Sequence, residues 1–382
     1  MSFYLIFISV NLFIGLFLGL NARVAFSQVI CNKPIFWALV FIATQAYWIS
    51  RVVTRAYRLE IPASLYFVAS SLFAICIAAF FIVLGIDIFL FIAWAVKPFN
   101  TVYLFIKTHS VHTGIAVIAA LLLYYFAGLF IANFPIETHY RIAISKPLAV
   151  ERVRIVMVSD LHITTFTRIK TVTDLVKRIN GLDADLLFFV GDVADGGIGP
   201  FRKKGLSGYL SGLRSAHGIY MVMGNHEYYG GDADATAKEF MSAGIRALRD
   251  EKVFLEQLGI TLIGRDDLSS AAFKGRPRAD LAELMDGVDL AKPIIVLDHQ
   301  PQNRVIKEAS ASGVDLQLSG HTHNGQFFPF NLIVKKIYTK SWGLFTDGAY
   351  HLVVSCGFGT WGPPVRTASY SEIVVAELTG EQ

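Results

Sequence analysis

Four long apolar runs occupy the first 134 residues, and short apolar runs alternating with amphipathic segments occupy the rest. Residues 3–20 are broken only by Ser9 and Asn11, with no basic segment ahead and no Ala-x-Ala cleavage site. That pattern predicts an uncleaved span rather than a signal peptide. Residues 35–50, bounded by Lys33 and Arg51, predict a second span, and residues 111–134 another. Between them, residues 64–96 run longer than the ~20 residues that a ~30 Å hydrocarbon core needs. This third run must tilt, overrun the core, or break near Gly85. Four spans follow, five if it breaks. Trp37, Trp48 and Trp94 lie near run ends, as interfacial aromatic belts require.

The pattern changes after a stretch read as a linker at 135–149, with Pro135 and Pro147 near its ends. The chain therefore divides into an all-α transmembrane domain at 1–134, the linker, and a second domain at 150–382. In the second domain the apolar runs shrink to strand length. Residues 152–159 lead into Asp160-Leu161-His162, and residues 186–190 into Gly191-Asp192. Residues 218–223 lead into Gly224-Asn225-His226-Glu227, residues 293–297 into Asp298-His299-Gln300-Pro301, and residues 314–318 into Gly320-His321-Thr322-His323. Short β-branched runs bounded by Gly and Pro predict buried strands. Helical periodicity fills the gaps at 169–180, 235–243 and 302–312, each stopped by a glycine (Gly181, Gly244, Gly313) where a helix C-cap wants one. Strand and helix alternating predict an α/β layer structure. In such sheets the functional site lies beyond the carboxyl ends of the strands, the position that all five polar clusters share.

Charge sharpens the division. Residues 1–134 carry seven basic residues and two acidic ones, Glu60 and Asp87, which leaves 27 of the 34 basic and 28 of the 30 acidic residues to the rest. The basic excess therefore belongs to membrane flanks, and the second domain has no basic face for long nucleic acid. Asp87, inside the third run, is the one intramembrane acid. Cys31 and Cys76 lie in the first domain and Cys356 alone in the second, so the second domain forms no internal disulfide.

The polar clusters bring two Asp, one Asn and several His to one place without a thiolate. Mixed imidazole and carboxylate sets suit Mn, Zn or Fe rather than a structural zinc site. Two such ions need a bridging anionic ligand, several neutral nitrogens and an open position for water. Asp192, short and fixed behind a glycine at a strand end, suits the bridge. Water between two ions ionises near neutral pH and can attack phosphorus in line, while the cations neutralise the phosphoryl oxygens.

The ordered series Asp160-x-His162, Gly191-Asp192, Gly224-Asn225-His226-Glu227, His299 and Gly320-His321-x-His323 resembles the calcineurin-like metallophosphoesterase superfamily over residues 150–382. The resemblance implies a two-sheet αββα sandwich with a dinuclear centre. Asp160, His162 and His323 would hold one metal and Asn225, His299 and His321 the other, with Asp192 shared. His226 would act as general acid on the leaving oxygen, and Glu227, where many members have Asp, would orient His226. The apolar start, Asp298-His299-Gln300-Pro301 and the late Cys356-to-Arg366 segment look like the bacterial membrane-associated branch, which includes UDP-diacylglucosamine pyrophosphatases. Arg366 is a candidate phosphate clamp or a surface arginine. Tyr228 and Tyr229 are candidates to stack on a base or sugar, or to pack. Arg202-Lys203-Lys204 reads as a solvated run or a contact with anionic headgroups.

The expectation is thus a membrane-anchored phosphohydrolase with two divalent ions, cleaving a phosphoester or pyrophosphate whose substrate is a lipid or lipid-linked sugar nucleotide. No nucleic acid is expected. The alternatives are a nucleotide phosphodiesterase or nuclease, and a non-catalytic membrane sensor or scaffold. The branch implies the bacterial inner membrane. Four spans with the N-terminus inside put Arg51, Arg55, Arg58, Arg141, Lys146, Arg152 and Arg154 in the cytoplasm against Arg23, Lys33, Lys97 and Lys107 outside, which favours a cytoplasmic second domain.

Overall fold

The structure, a computed structural model, describes every residue except Met1, Cys31, Arg58, Glu60, Gly196, Gly275, Arg276, Glu381 and Gln382. Cys31, Arg58 and Glu60, counted above, lie outside the described residues. The chain forms two compact units, Met1–Phe130 with Gly362–Thr367, and Ile131–Trp361 with Ala368–Gln382.

The first unit consists of helices α1 (Ser2–Ala25), α2 (Lys33–Tyr57), α3 (Ala63–Ala95), α4 (Asn100–Thr108) and α5 (Ser110–Asn133). All but α4 are long and apolar enough to cross a membrane. The third apolar run is one continuous helix, with no break at Gly85. At 1.5 Å per residue it is about 50 Å long, more than a hydrocarbon core requires. Ser71 Oγ and Tyr125 OH, 2.7 Å apart, join α3 to α5 through a polar contact of the kind that couples helices in lipid. Asp87 lines an apolar cavity of about 270 Å³ together with residues such as Asn21 and Lys107.

The segment Gly362–Thr367 belongs to this unit, although the sequence pattern assigned it to the second domain. Val365 packs with Ala74 and Tyr125, the Arg366 N–H donates to Gly128 O at 2.9 Å, and the Thr367 hydroxyl donates to Tyr124 OH at 2.7 Å.

In the second unit the strands run, in chain order, β1 (Ile136–Ile144), β2 (Val153–Val158), β3 (Leu186–Val190), β4 (Ile219–Val222), β5 (Arg246–Ala247), β6 (Glu251–Leu255), β7 (Ile260–Gly264), β8 (Ile294–Leu297), β9 (Leu316–Ser319), β10 (Gly343–Asp347), β11 (Tyr350–Val354) and β12 (Glu372–Gly380). The helices are α6 (Ile169–Asn180), α7 (Gly199–Lys203), α8 (Leu206–Leu210), α9 (Asn225–Tyr229), α10 (Ala233–Ser242), α11 (Ser270–Lys274), α12 (Leu281–Met285), α13 (Asn303–Ala311) and α14 (Phe330–Ile337). Two six-stranded mixed sheets result, ordered β1-β12-β2-β3-β4-β5 and β10-β11-β9-β8-β7-β6.

Burial defines the layers. Ile155, Met157, Phe188 and Val222 of the first sheet meet Leu262, Leu297, Leu316 and Val353 of the second in one core. On the other face of the first sheet, Val156, Val158 and Phe189 pack on Leu175 of α6 and Phe240 of α10. On the outer face of the second sheet, Ile294 and Val296 pack on Leu281 of α12 and Ala309 of α13. Helices thus cover the outer face of each sheet, an α/β/β/α sandwich. Strands buried on both faces read as unbroken apolar runs, which is why β2, β3, β8 and β9 stood out in the sequence.

The linker expected at 135–149 is in fact largely β1, which pairs in parallel with β12 from Ile136↔Glu372 to Ile144↔Gly380. Only Ile142 and Ile144 are buried along it, and Glu137, His139 and Arg141 alternate with its apolar positions. An edge strand with one half-solvated face shows that weak period of two and little else.

Candidate metal centre

β2, β3 and β4 are parallel neighbours in one sheet, and β8 and β9 in the other. Within each sheet the polar clusters therefore leave at the same strand ends, and contacts such as Asp192 Oδ2 to His299 Nε2 at 3.1 Å and His321 N–H to Asp160 at 3.1 Å join the two sets. The pairing of β2 with β3 continues past the strand ends, where Asp160, His162 and Ile163 donate backbone N–H bonds to Gly191, Asp192 and Val193. On the other sheet, Gly320 N donates to His299 O at 3.0 Å.

Backbone conformation aims the side chains. Asp160, His162, Asp192, His321 and His323 all have φ between 45° and 72°. This left-handed region is uncommon outside glycine, least so for Asp, Asn and His, and it clusters where function holds the backbone in a strained turn.

Among the described residues three adjoining groups result, one of them His162 with Asp195 and His226, and the other two made of the expected ligands. Asp160, His162 and His323 bring one ligand-type atom each within 4.8 Å of one another, and so do Asp192, His299 and His321. His162 Nε2 and His323 Nε2 stand 2.9 Å apart, and His323 Nε2 lies 3.5 Å from Asp160 Oδ1. Asp192 Oδ2 lies 3.1 Å from His299 Nε2 and 3.9 Å from His162 Nε2, so this one carboxylate faces both groups. Asn225, 4% exposed, adds its side chain from the start of α9.

Electrostatics suit cation ligands. Burial, aided by the charge of neighbouring imidazoles, pushes His162 and His321 down to about 3, so both are neutral at physiological pH. Burial pushes the Asp160 carboxyl up to about 6. Burial also opposes ionisation of Asp192 and protonation of His299. Their mutual attraction outweighs it, holding the Asp192 carboxyl well below its ordinary range and His299 well above its own.

Three buried side-chain atoms here have no hydrogen-bond partner, Asn225 Oδ1, His321 Nδ1 and His162 Nδ1, and a fourth, His299 Nε2, faces the Asp192 carboxylate at 3.1 Å. Buried polar atoms are rarely left unmet. The other ring nitrogens of two of these residues are held, with His299 Nδ1 donating to Val190 O at 2.8 Å and His321 Nε2 3.0 Å from Tyr338 OH. Such contacts fix the tautomer of a metal-ligating histidine. Unmet lone pairs at Asn225 Oδ1 and His321 Nδ1, beside the Asp192 carboxylate and the His299 Nε2 that it pairs with, fit a divalent cation that displaces the His299 proton.

His226 is 8% exposed at the edge of these groups, its backbone N–H donating to Asp192 Oδ1 at 2.8 Å. Its Nδ1 lies 2.9 Å from Asp195 Oδ1. Asp195 thus orients His226, a task the sequence reading gave to Glu227. Glu227 instead accepts four backbone N–H bonds, from Val193 and Ala194 on Oε1 and from Asp192 and Gly224 on Oε2. It ties the Asp192 loop to the turn that carries Asn225. Asp195 escaped notice in the sequence, though an acid three residues after Asp192 was its signal.

Tyr228 is 2% exposed and packs in the core, its hydroxyl donating to Asp266 and accepting from Arg249. Tyr229 is 46% exposed, with its ring 5.6 Å from the His226 ring and 5.7 Å from Phe273. Arg366 is fully buried in the helical unit. Of the basic run, Arg202 pairs with Glu239, and the Lys204 ammonium donates to the carbonyls of Thr164, Thr165 and Thr167 in the loop after His162. Asp298 is held in a buried ion network with Arg278 and Arg265, which braces the end of β8 beside His299.

The model of the calcineurin-like phosphoesterase family matches residues 153–325, from the first residue of β2 to the turn that holds His323. A metallophosphoesterase of Aquifex aeolicus is 34% identical over 233 residues, which span 60% of this chain and 86% of that protein. This chain belongs to the calcineurin-like phosphoesterase family. A metallophosphoesterase of Helicobacter pylori is 36% identical over 234 residues, 60% of each chain, so the match spans less than two thirds of that relative's length. A Danio rerio protein named as a transmembrane protein with a metallophosphoesterase domain is 31% identical over 234 residues, covering 59% of this chain and 53% of that one.

Proposed function

We propose that this family member is a membrane-anchored phosphohydrolase that cleaves a phosphoester or pyrophosphate bond at a pair of divalent ions, Mn, Zn or Fe. The observation that carries the reading is the set of unmet ligand atoms on Asn225 and His321 beside the Asp192–His299 pair, next to the Asp160–His162–His323 group. Ions held there would supply Lewis-acid charge to the phosphoryl oxygens and ease ionisation of the attacking water.

The chain's own residues do the rest. Asp192, facing both groups, sets their spacing. Glu227 fixes the backbone of Asp192 against Gly224, so the two ligand loops move as one. Asp195 accepts from His226 Nδ1, which leaves Nε2 to give a proton to the leaving oxygen. As the phosphorus–oxygen bond to the leaving group breaks, the bond to the water oxygen forms, and the proton lost by that water restores the imidazolium.

A lipid or lipid-linked substrate is supported by the four apolar helices, which confine the enzyme to a surface where such substrates reside. The flanking charge favours a cytoplasmic face, and the membrane of this reading is the bacterial inner membrane. One observation favours a nucleotide or sugar nucleotide: Tyr229 and Trp361, both exposed, have rings 5.6 and 6.2 Å from His226, where a base could stack.

The test incubates purified full-length protein and Mn²⁺ with phospholipids, UDP-acyl-sugars and nucleotides, and follows products by mass spectrometry. Metal-dependent release from a lipid-linked phosphoester supports the reading. Turnover confined to free nucleotides moves the assignment to a nucleotide phosphodiesterase, and none anywhere, soluble aryl phosphodiesters included, leaves the non-catalytic alternative.

A further inference from the structure

The turn that supplies His323 runs directly into α14, and α14 has no buried residue. Leu332, Ile333 and Ile337 are 59%, 51% and 61% exposed, with Phe328 at 50% just ahead of the helix. Positions 332, 333, 336 and 337 share one face of a helix by their spacing of one and four. Lys336 falls within that face, Lys335 lies on the far flank of the helix, and Lys340 follows its end with its ammonium 4.6 Å from the Phe345 ring centroid; all three are exposed, and no acidic residue occurs from 324 to 346. Large apolar side chains clustered on a surface mark a contact with something apolar.

We propose that α14 docks on an anionic lipid bilayer, its apolar side chains entering the interface and its lysines meeting the headgroups. Charge selects this occupant: a short helix joining exposed Leu and Ile to Lys, without an acid, is complementary to anionic lipid. The chain also tethers the domain that carries α14 to a candidate span, because only two residues separate α5, ending at Asn133, from β1 at Ile136.

α14 is built into the metal centre. A Cβ on Gly325 would lie 2.3 Å from Asn331 Cα, so the His323–Gly325 turn and the start of α14 touch backbone to backbone. Tyr338, capping α14, holds His321 Nε2 at 3.0 Å. A docked α14 therefore ties two of the ligand histidines to the membrane surface. Resting on the phosphohydrolase reading, this gives the substrate class: a phosphoester presented from an anionic bilayer.

The experiment places full-length protein in nanodiscs of phosphatidylcholine, alone or mixed with phosphatidylglycerol, with an environment-sensitive fluorophore on Leu332→Cys. Cys76 and Cys356 are buried, and Cys31, outside the described residues, is replaced by Ser so that it cannot take label. The expected result is a blue shift, and quenching by brominated acyl chains, that grow with phosphatidylglycerol. Charge reversal (Lys335→Glu, Lys336→Glu, Lys340→Glu) should lower the docking equilibrium constant at least about fivefold per lysine that meets the headgroups. The reversed variant should keep wild-type turnover of a soluble aryl phosphodiester while losing turnover of a lipid-embedded one.

A fluorophore that stays in water in both lipids overturns the proposal. So does quenching unaffected by charge reversal, or burial that appears only with two chains per disc, which identifies a second copy as the occupant. Failure of the phosphohydrolase reading is a separate result: wild-type protein that does not hydrolyse the soluble diester with Mn²⁺, whatever the fluorophore reports.

Discussion

Gly224 offers a direct test of how tightly the bridging carboxylate is held. Its φ of −105° lies in a region open to any residue, so Gly224→Ala brings no backbone strain and acts only through its methyl group. That methyl would lie 2.2 Å from Asp192 Oδ1, 2.5 Å from Asp192 N and 2.8 Å from Asp192 Cγ. Ordinary contact begins near 3.4 Å, so Asp192 and the turn must separate by roughly 1 Å. Neither side yields easily, because Glu227 binds both backbones and the His226 N–H binds Oδ1. Overpacking of this kind costs about 1–3 kcal/mol of stability. A displacement of about 1 Å at a reacting centre lowers turnover about 100-fold. The assay compares kcat/KM for a soluble aryl phosphodiester, metal content and thermal unfolding in wild type and Gly224→Ala. A variant that unfolds within a degree or two of wild type, keeps its metals and turns over within threefold would refute the reasoning.

Other perturbations separate the parts. Glu227→Ala strips the acceptor from four backbone N–H groups; at about 1 kcal/mol each the loss is about 4 kcal/mol. A fall in Tm of roughly 10 °C is then expected, and an unchanged Tm would contradict the clamp. Asp195→Asn should slow cleavage of poor leaving groups more than that of nitrophenolate, because it perturbs the His226 proton; metal content is measured alongside, since Asp195 Oδ2 also lies 3.9 Å from His162 Nδ1, and an equal loss on both substrates with metals retained would deny His226 the role of acid. His299 has its affinity for a proton raised by Asp192, so metal-free protein carries that proton near pH 7 and metal must displace it. Calorimetry of Mn²⁺ binding in buffers of different ionisation enthalpy should show about one proton released. No release would mean that His299 was neutral or is not a ligand.

The strands that matter were readable because they are buried on both faces. Each ends in a polar group, so Asp160, Asp192, Asn225, His299 and His321 announced themselves by position as well as by type. What escaped depends on partners far along the chain. β1 is a half-solvated edge strand that exists by pairing with β12, some 236 residues later, and its alternation of Glu137, His139 and Arg141 read as a linker. Tyr228 and Tyr229 are adjacent in sequence, and only the packing of α9 decides which one is buried against Asp266 and which is exposed beside His226. Glu227 was noticed but misassigned, since a sequence cannot show that its carboxylate reaches four backbone N–H groups while Asp195 takes His226. The segment holding Arg366 gave no sign in its residues that it would pack with helices 238 to 291 positions earlier. Left-handed backbone at the ligand positions was equally invisible, although Asp and His tolerate it better than most residues.

The central claim is that one carboxylate serves two metal groups and that hydrolysis depends on them. It is tested most directly by stripping full-length protein with EDTA, adding back Mn²⁺, and measuring aryl phosphodiester hydrolysis and bound metal in wild type and Asp192→Asn. The account predicts that stripped wild type is inactive, that Mn²⁺ restores activity with two ions per chain, and that Asp192→Asn remains inactive and binds less metal. Full activity in stripped protein, or in Asp192→Asn, would contradict it.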